Sequence, residues 1–399
     1  MRHRKRLLES EALRLLKGAL RTNEIYSNLT YTVVENSIPK QVELDGLVLY
    51  DRAAFLVEAK SGAFTDPARR GAPKRLLEDI RKLIVGAHDQ GLRASKYITE
   101  SNEPTFQLTD GAQLKIDKSR LKNIFLVAVT LDQLDPIMAN LAEVAKLGIF
   151  GPGDLPWAVS LGDLQVIADL IEFPFMFVHY LIRRLNLNTT TRISTHDELD
   201  WFGHYLREGL YLKAIDDPRF DKIALTTRTT MFDDYYFYTT GVRSTFAPRP
   251  AQPMPDLMRR VLSEVALGAA YGHIVVGLAL LDMDGDARRR FAKWFERARR
   301  QAEKDRRIHD FTLGSSEAKA GFTVMAAPPE KAESLQERIV TYCNLKKYQT
   351  RSDVWVGIGT IAGEDRLVHC WMADDSPWEP DETLEETLNL FLQHVKKEG

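Results

Sequence analysis

Cysteine is almost missing from this 399-residue chain: Cys343 and Cys370 are the only two, and no CxxC pair occurs. That excludes a zinc ribbon or a thioredoxin-type centre and fits a reducing compartment. Net charge is also nearly absent, with 54 Lys and Arg against 56 Asp and Glu. No global positive field therefore draws the protein to nucleic acid or anionic lipid, and any such contact needs a local patch. The first hundred residues lean basic, with 18 basic against 13 acidic residues. Long apolar runs are missing too. Val265 to Leu281 is uncharged for 17 residues, short of the ~20 that span a bilayer, and it contains Gly268, Gly272, Gly277 and His273. It reads as a buried core segment, with membrane-peripheral binding the weaker reading, so no membrane partner is expected. The basic start MRHRKR resembles the first segment of a signal peptide. The following LLESEALRLLKGAL is charged every few residues and is no secretory segment, so a cytoplasmic location is expected.

What is present is an ordinary globular composition, 44% hydrophobic and 28% charged, long enough for two or three domains. Leu8, Ala12, Leu16 and Ala19 predict a helix over 5–20. Strand patterns follow at Ile25–Val34, Val42–Tyr50 and Ala53–Ala59, then a Gly/Pro-rich loop at 61–73 and a long helix at Lys74–Tyr97. Ile124–Thr130 is an uninterrupted β-branched run of the kind a central strand shows, and Trp157–Ser160 is a further strand. The fold class is α/β. The polar stretch NLNTTTRIS marks a boundary, giving residues 1–185 as one domain, 186–200 as a linker and 201–399 as a second α/β (α+β) domain. Within the second, a helix at 198–212, a long helical region to about 307, strands at Gly321–Ala326 and Val354–Ile361, and a closing helix on Leu384, Leu388, Phe391 and Val395 are predicted.

Chemistry concentrates in Gln41–Gly62, QVELDGLVLYDRAAFLVEAKSG. Two apolar strands joined by a short turn make a hairpin. With Asp51 and Arg52 in the turn, Asp45 falls opposite Glu58 and Glu43 opposite Lys60, all four on one face. Paired carboxylates inside an apolar sheet repel one another unless a cation compensates them. Mg²⁺ suits that role because it takes carboxylate and carbonyl oxygens. The bland alternative is an edge hairpin solvated by ion pairs.

Asp45, twelve intervening residues and then Glu58-Ala59-Lys60 resemble the PD-(D/E)XK signature of restriction-endonuclease-like nucleases. The pattern is closest to the nuclease-related (NERD) and Mrr-like branches. A Leu44 stands where the name-giving Pro would be. The resemblance implies a mixed central sheet flanked by helices. It also implies that Asp45, Glu58 and the Ala59 carbonyl hold Mg²⁺, or Mn²⁺ in its place, while Lys60 handles the attacking water. An upstream helix carboxylate falls on Glu9, with Glu11 second, and a helix glutamine on Gln90. The implied activity is DNA endonuclease cleavage by metal-activated water, DNA favoured over RNA, in a prokaryotic genome-defence setting. The alternative is a catalytically silent nucleic-acid-binding module that acts with a partner protein through the C-terminal domain; an oligomer fits either reading.

A Glu-x-Lys alone carries no weight, since Glu317-Ala318-Lys319 is a second copy without an apolar strand or a paired Asp. The run after the motif places Arg70, Lys74, Arg75 and Arg81 as phosphate contacts, an exposed charged helix face being as good a reading. The segment 287–307 predicts a helix with Phe291, Phe295, Ala298 and Ala302 inward and a basic face outward; a solvated face is the simpler reading, a second nucleic-acid or partner surface the other. Asp282-x-Asp284-Gly285-Asp286 reads as a helix-initiating turn, because Lys293 stands where a calcium loop needs Glu.

Overall fold

The computed structural model describes residues 2–389 apart from 36, 134, 269 and 316. The predicted positions Phe391 and Val395 lie outside the described residues. The chain divides into two units, Met1–Gln252 and Pro253–Gly399.

The first unit is mixed α/β around a seven-stranded sheet. It begins with α1 (Arg2–Leu20), whose Leu8, Ala12, Leu16 and Ala19 are buried. Three antiparallel strands follow in a meander: β1 (Ile25–Glu35), β2 (Ile38–Tyr50) and β3 (Ala53–Lys60). Within the loop expected at 61–73 lies the short helix α2 (Asp66–Arg69). The long predicted helix is α3 (Pro73–Ile80), a π-turn at Arg81–Val85 and α4 (Gly86–Glu100). Short β4 (Thr105–Gln107) and β5 (Gln113–Lys115) extend the sheet beyond β1. On the other side, β6 (Asn123–Thr130) and β7 (Trp157–Ser160) run parallel to β3. The order is β5-β4-β1-β2-β3-β6-β7. After α5 (Leu141–Ala145), the helices α6 (Leu161–Leu170), α7 (Pro174–Asn186), α8 (Glu198–Glu208) and α9 (Thr230–Thr239) complete the unit, with a two-stranded parallel pair, β8 (Ile193–Ser194) and β9 (Ile223–Ala224), between them.

Helices cover both faces of the sheet. On one, Ala94 and Ile98 of α4 pack in one core with Leu47, Leu56 and Leu126. On the other, Leu13 of α1 sits over Gly46, where an added Cβ would come within 2.7 Å of Leu13 Cδ2, and Phe177 of α7 packs on Phe55. Gly46 thus lets α1 lie close against β2.

The polar stretch 186–200 lies inside the first unit. Arg184 and Glu198, both buried, pair at 3.0 Å. Glu198 also accepts from Trp157 Nε1 at 2.7 Å and Tyr180 OH at 2.5 Å, and Asn140 bonds the Thr195 backbone in both directions. Asn- and Thr-rich composition signals a linker only where its polar groups face water; here Asn188 accepts from Arg184, and Thr195 is buried and bonded to Asn140 and Asp200.

The second unit opens with α10 (Asp256–Gly268), α11 (His273–Leu281) and α12 (Gly285–Asp305), and continues as β10 (His309–Ser315), β11 (Ala320–Ala327), α13 (Leu335–Thr350), β12 (Val354–Ile361) and β13 (Cys370–Asp374). Its sheet runs β10-β11-β12-β13, with β11 and β12 parallel across α13. Phe291 of α12 packs on Phe311 and Phe322, while Leu335, Ile339 and Cys343 of α13 pack with Met325, Ala327 and Trp355. Asp284 caps α12, its Oδ1 accepting the Ala287 N–H at 2.7 Å. The 265–281 segment divides between α10 and α11, and no helix among the described residues is long and apolar enough to cross a membrane.

Candidate metal centre

The β2–β3 hairpin turns at Asp51-Arg52, with Tyr50↔Ala53 through Gly46↔Val57 in register. Asp51 takes a φ of +49°, the left-handed region a tight two-residue turn requires. Ladder pairing ends at Gly46↔Val57, and the two strands part. Asp45, the next residue, sends its side chain into that fork, where Oδ2 accepts the Ala59 N–H at 2.9 Å. A strand residue points its N–H and C=O to the same edge, so the Ala59 carbonyl also faces β2.

The expectation that Glu43 shares this face with Lys60 does not hold. Glu43 is exposed and its backbone pairs with Thr30. Val42 and Leu44 lie in one core with Leu47, although unbroken alternation would separate them. The alternation slips at Asp45-Gly46, opposite Asn28, whose φ is +52°.

Elements from both faces converge on the fork. From α1, Lys5 Nζ bridges Asp45 Oδ1 at 3.0 Å and Glu9 Oε1 at 3.1 Å. Glu9 is buried, whereas Glu11 turns outward to Arg14, so the apolar spacing picked the inward carboxylate. From α4, Gln90 Oε1 accepts from Lys60 Nζ, which also contacts Glu58 Oε2 at 3.2 Å. Glu58 is 1% exposed, and its Oε1 is buried without a hydrogen-bond partner. Burial pushes the Glu58 carboxyl up to about 8; Asp45 adds to the rise and Lys60 opposes it. Lys5 is partly buried, which alone would lower its pKa, but the Asp45 and Glu9 carboxylates raise it.

This donor set fits a hard divalent cation. Two carboxylates and a strand carbonyl meet at one fork, and one buried carboxylate oxygen lacks any donor, which a cation would satisfy.

The remaining predicted contacts are at the surface. Arg70, Lys74, Arg75 and Arg81 are exposed; Arg75 pairs with Glu78 at 2.6 Å and Arg70 caps the Asp66 carbonyl at 3.3 Å. Asp79 and Asp132 hold the loop before them by accepting the N–H groups of Thr65 and Phe64. Glu317-Ala318-Lys319 lies exposed in the β10–β11 turn.

Another acidic cluster was not expected from the sequence. Carboxylate oxygens of Asp135, Asp163 and Asp197 lie within 4.8 Å of one another. Asp163 is buried on Ser160, whose Oγ donates to Oδ2 at 2.7 Å. Burial lifts the Asp163 carboxyl to about 7 and the Asp135 carboxyl to about 6. Lys60, Thr130 and Ser160 are in register at the ends of β3, β6 and β7, so this cluster lies along the same carboxyl-end edge of the sheet as Glu58. No short motif links its three residues, which only the strand ends bring together.

Comparison with known proteins adds no relative: no protein-family model matches the chain, and neither the curated proteins nor the solved structures yield a match.

Proposed function

We propose that the first unit is a restriction-endonuclease-like, Mg²⁺-dependent nuclease that hydrolyses phosphodiester bonds, with DNA as substrate. The observation that carries this reading is the fork itself: Asp45, Glu58 and the Ala59 carbonyl converge beside a Lys60 that Gln90 holds in place. A structural ion-pair network has no need to leave Glu58 Oε1 buried and without a donor.

Asp45, Glu58 and the Ala59 carbonyl would hold the cation, with Glu9 next to them. When bound, Mg²⁺ supplies Lewis-acid polarisation of a phosphoryl oxygen and makes water more acidic. Lys60 orients the attacking water and offsets phosphate charge with its ammonium. Gln90 Oε1 accepts a hydrogen bond from the Lys60 ammonium, which limits where it can point. The buried walls around Glu58 lower the local dielectric, so each of these charge contacts counts for more than in water.

A second reading is favoured by Lys5. Its ammonium already neutralises part of the Asp45 and Glu9 charge, as a binding module without catalysis would require. Incubating the protein with supercoiled plasmid, linear duplex, single-stranded DNA and RNA, in Mg²⁺, Mn²⁺ or EDTA, separates the two. The nuclease reading expects metal-dependent DNA cleavage that Glu58→Gln and Lys60→Ala both abolish. Cleavage that survives both substitutions, or none on any substrate, overturns it.

A further inference from the structure

The helix α12 carries a cationic ridge with no use in folding. Its apolar face, Phe291, Phe295, Ala298 and Ala302, is buried. Arg290, Lys293, Arg297, Arg300 and Lys304 are all exposed, and their spacing of three or four residues stacks them in one stripe opposite that face. At 1.5 Å per residue the stripe is about 20 Å long. The helix's carboxylates do little to neutralise it. Asp286 pairs with Arg289 off the ridge, and Glu296 reaches only Arg300, at 3.7 Å. Among the described residues, Asp286 and Glu296 pair with Arg289 and Arg300 and Asp305 with His309, which leaves Arg290, Lys293, Arg297 and Lys304 without an ion-pair partner. Each consecutive like-charged neighbour on a helix is destabilising, so the fold gains nothing from placing five cations in a row.

We propose that this ridge binds the phosphate backbone of duplex DNA. A straight, rigid row of cations matches a polyanion that is itself stiff over this length. Single strands are disfavoured as occupants because their binders present aromatic rings for base stacking, and the ridge has none: Trp294 is partly buried and packs on Phe311. The choice of DNA over RNA duplex rests on the nuclease reading of the first unit; the ridge's affinity for a duplex does not. The ridge then supplies sequence-independent affinity, the contribution expected from phosphate contacts.

The test is fluorescence anisotropy of the full chain in EDTA with a labelled DNA duplex, a matched RNA duplex and a single strand. Arg290→Gln/Lys293→Gln/Arg297→Gln is compared with Lys319→Gln/Lys331→Gln/Arg338→Gln, which removes the same charge from exposed positions elsewhere in the unit. The ridge variant should bind duplex DNA on the order of tenfold more weakly at ~0.1 M salt and lose about 3 from the log–log salt slope, while the control stays within about twofold. Glutamine is a good helix former, and circular dichroism checks that α12 persists. Wild-type affinity in the ridge variant, preference for single strands or RNA, or no duplex binding by the wild type overturns the proposal. Cleavage is read separately, by the wild-type protein in Mg²⁺, so failure of the nuclease reading shows in cleavage and failure of the ridge shows in binding.

Discussion

The Asp45 carboxylate accepts the Ala59 N–H at 2.9 Å, standing in for a ladder bond just where β2 and β3 separate. One side chain thereby closes the fork, fixes the edge of β3 and brings an acidic group beside Glu58. The site is thus built into the sheet's own hydrogen bonding rather than added on a loop, which gives it the rigidity a metal centre needs.

Stability of the metal-free protein should fall as pH rises. Glu58 keeps its proton in the folded chain up to about 8, whereas unfolded it ionises near 4.5. The folded state therefore binds more protons between those values. Its contribution is full below about 4.5 and is lost as pH climbs through about 8, at up to ~1.4 kcal/mol per pH unit. Asp163 and Asp135, raised to about 7 and about 6, act in the same sense. Urea unfolding in EDTA at pH 5, 6.5 and 8 should show the decline, shallower in Glu58→Gln; an identical slope in the variant contradicts this assignment.

Lys5 should compete with a divalent cation. Its ammonium lies between Asp45 and Glu9, and it is 44% exposed, so the pairs contribute no more than about 1 kcal/mol. In Lys5→Met the metal-free melting temperature should drop by a few degrees, while the gain on adding Mn²⁺ grows and saturates at lower concentration. Thermal melts across a Mn²⁺ titration read both; a smaller Mn²⁺ gain in the variant would count against competition.

The Arg184–Glu198 pair should be indispensable to the first unit. Both residues are buried, and Glu198 also takes bonds from Trp157 and Tyr180. Removing one partner strands a buried charge and costs about 3–5 kcal/mol. Arg184→Met should lose that much in urea unfolding, and Arg184→Met/Glu198→Leu less than the two single losses combined. Strict additivity would mean the pair is not coupled.

Much of the hairpin was legible in the sequence because its determinants are local. The apolar runs and the two residues between them give the register, and the spacing of Ala12, Leu16 and Ala19 selects Glu9 over Glu11. Gln90 came from the family resemblance, not from the local pattern. Glu43 was misplaced because the left-handed Asn28, on a different strand, breaks the alternation of β2. The boundary near 186–200 misled for a long-range reason as well: its polarity is answered by Asn140, Trp157 and Tyr180. Asp135, Asp163 and Asp197 meet only once β6 and β7 lie side by side, and no local pattern announces that.

The most direct test is calorimetric titration of the metal-free protein with Mn²⁺, beside Asp45→Asn, Glu58→Gln and Asp163→Asn. A metal centre at the fork predicts saturable binding that Asp45→Asn and Glu58→Gln abolish and Asp163→Asn preserves. Binding unaffected by Asp45→Asn and Glu58→Gln, or lost only in Asp163→Asn, would contradict it by placing the metal at the other end of the same sheet edge.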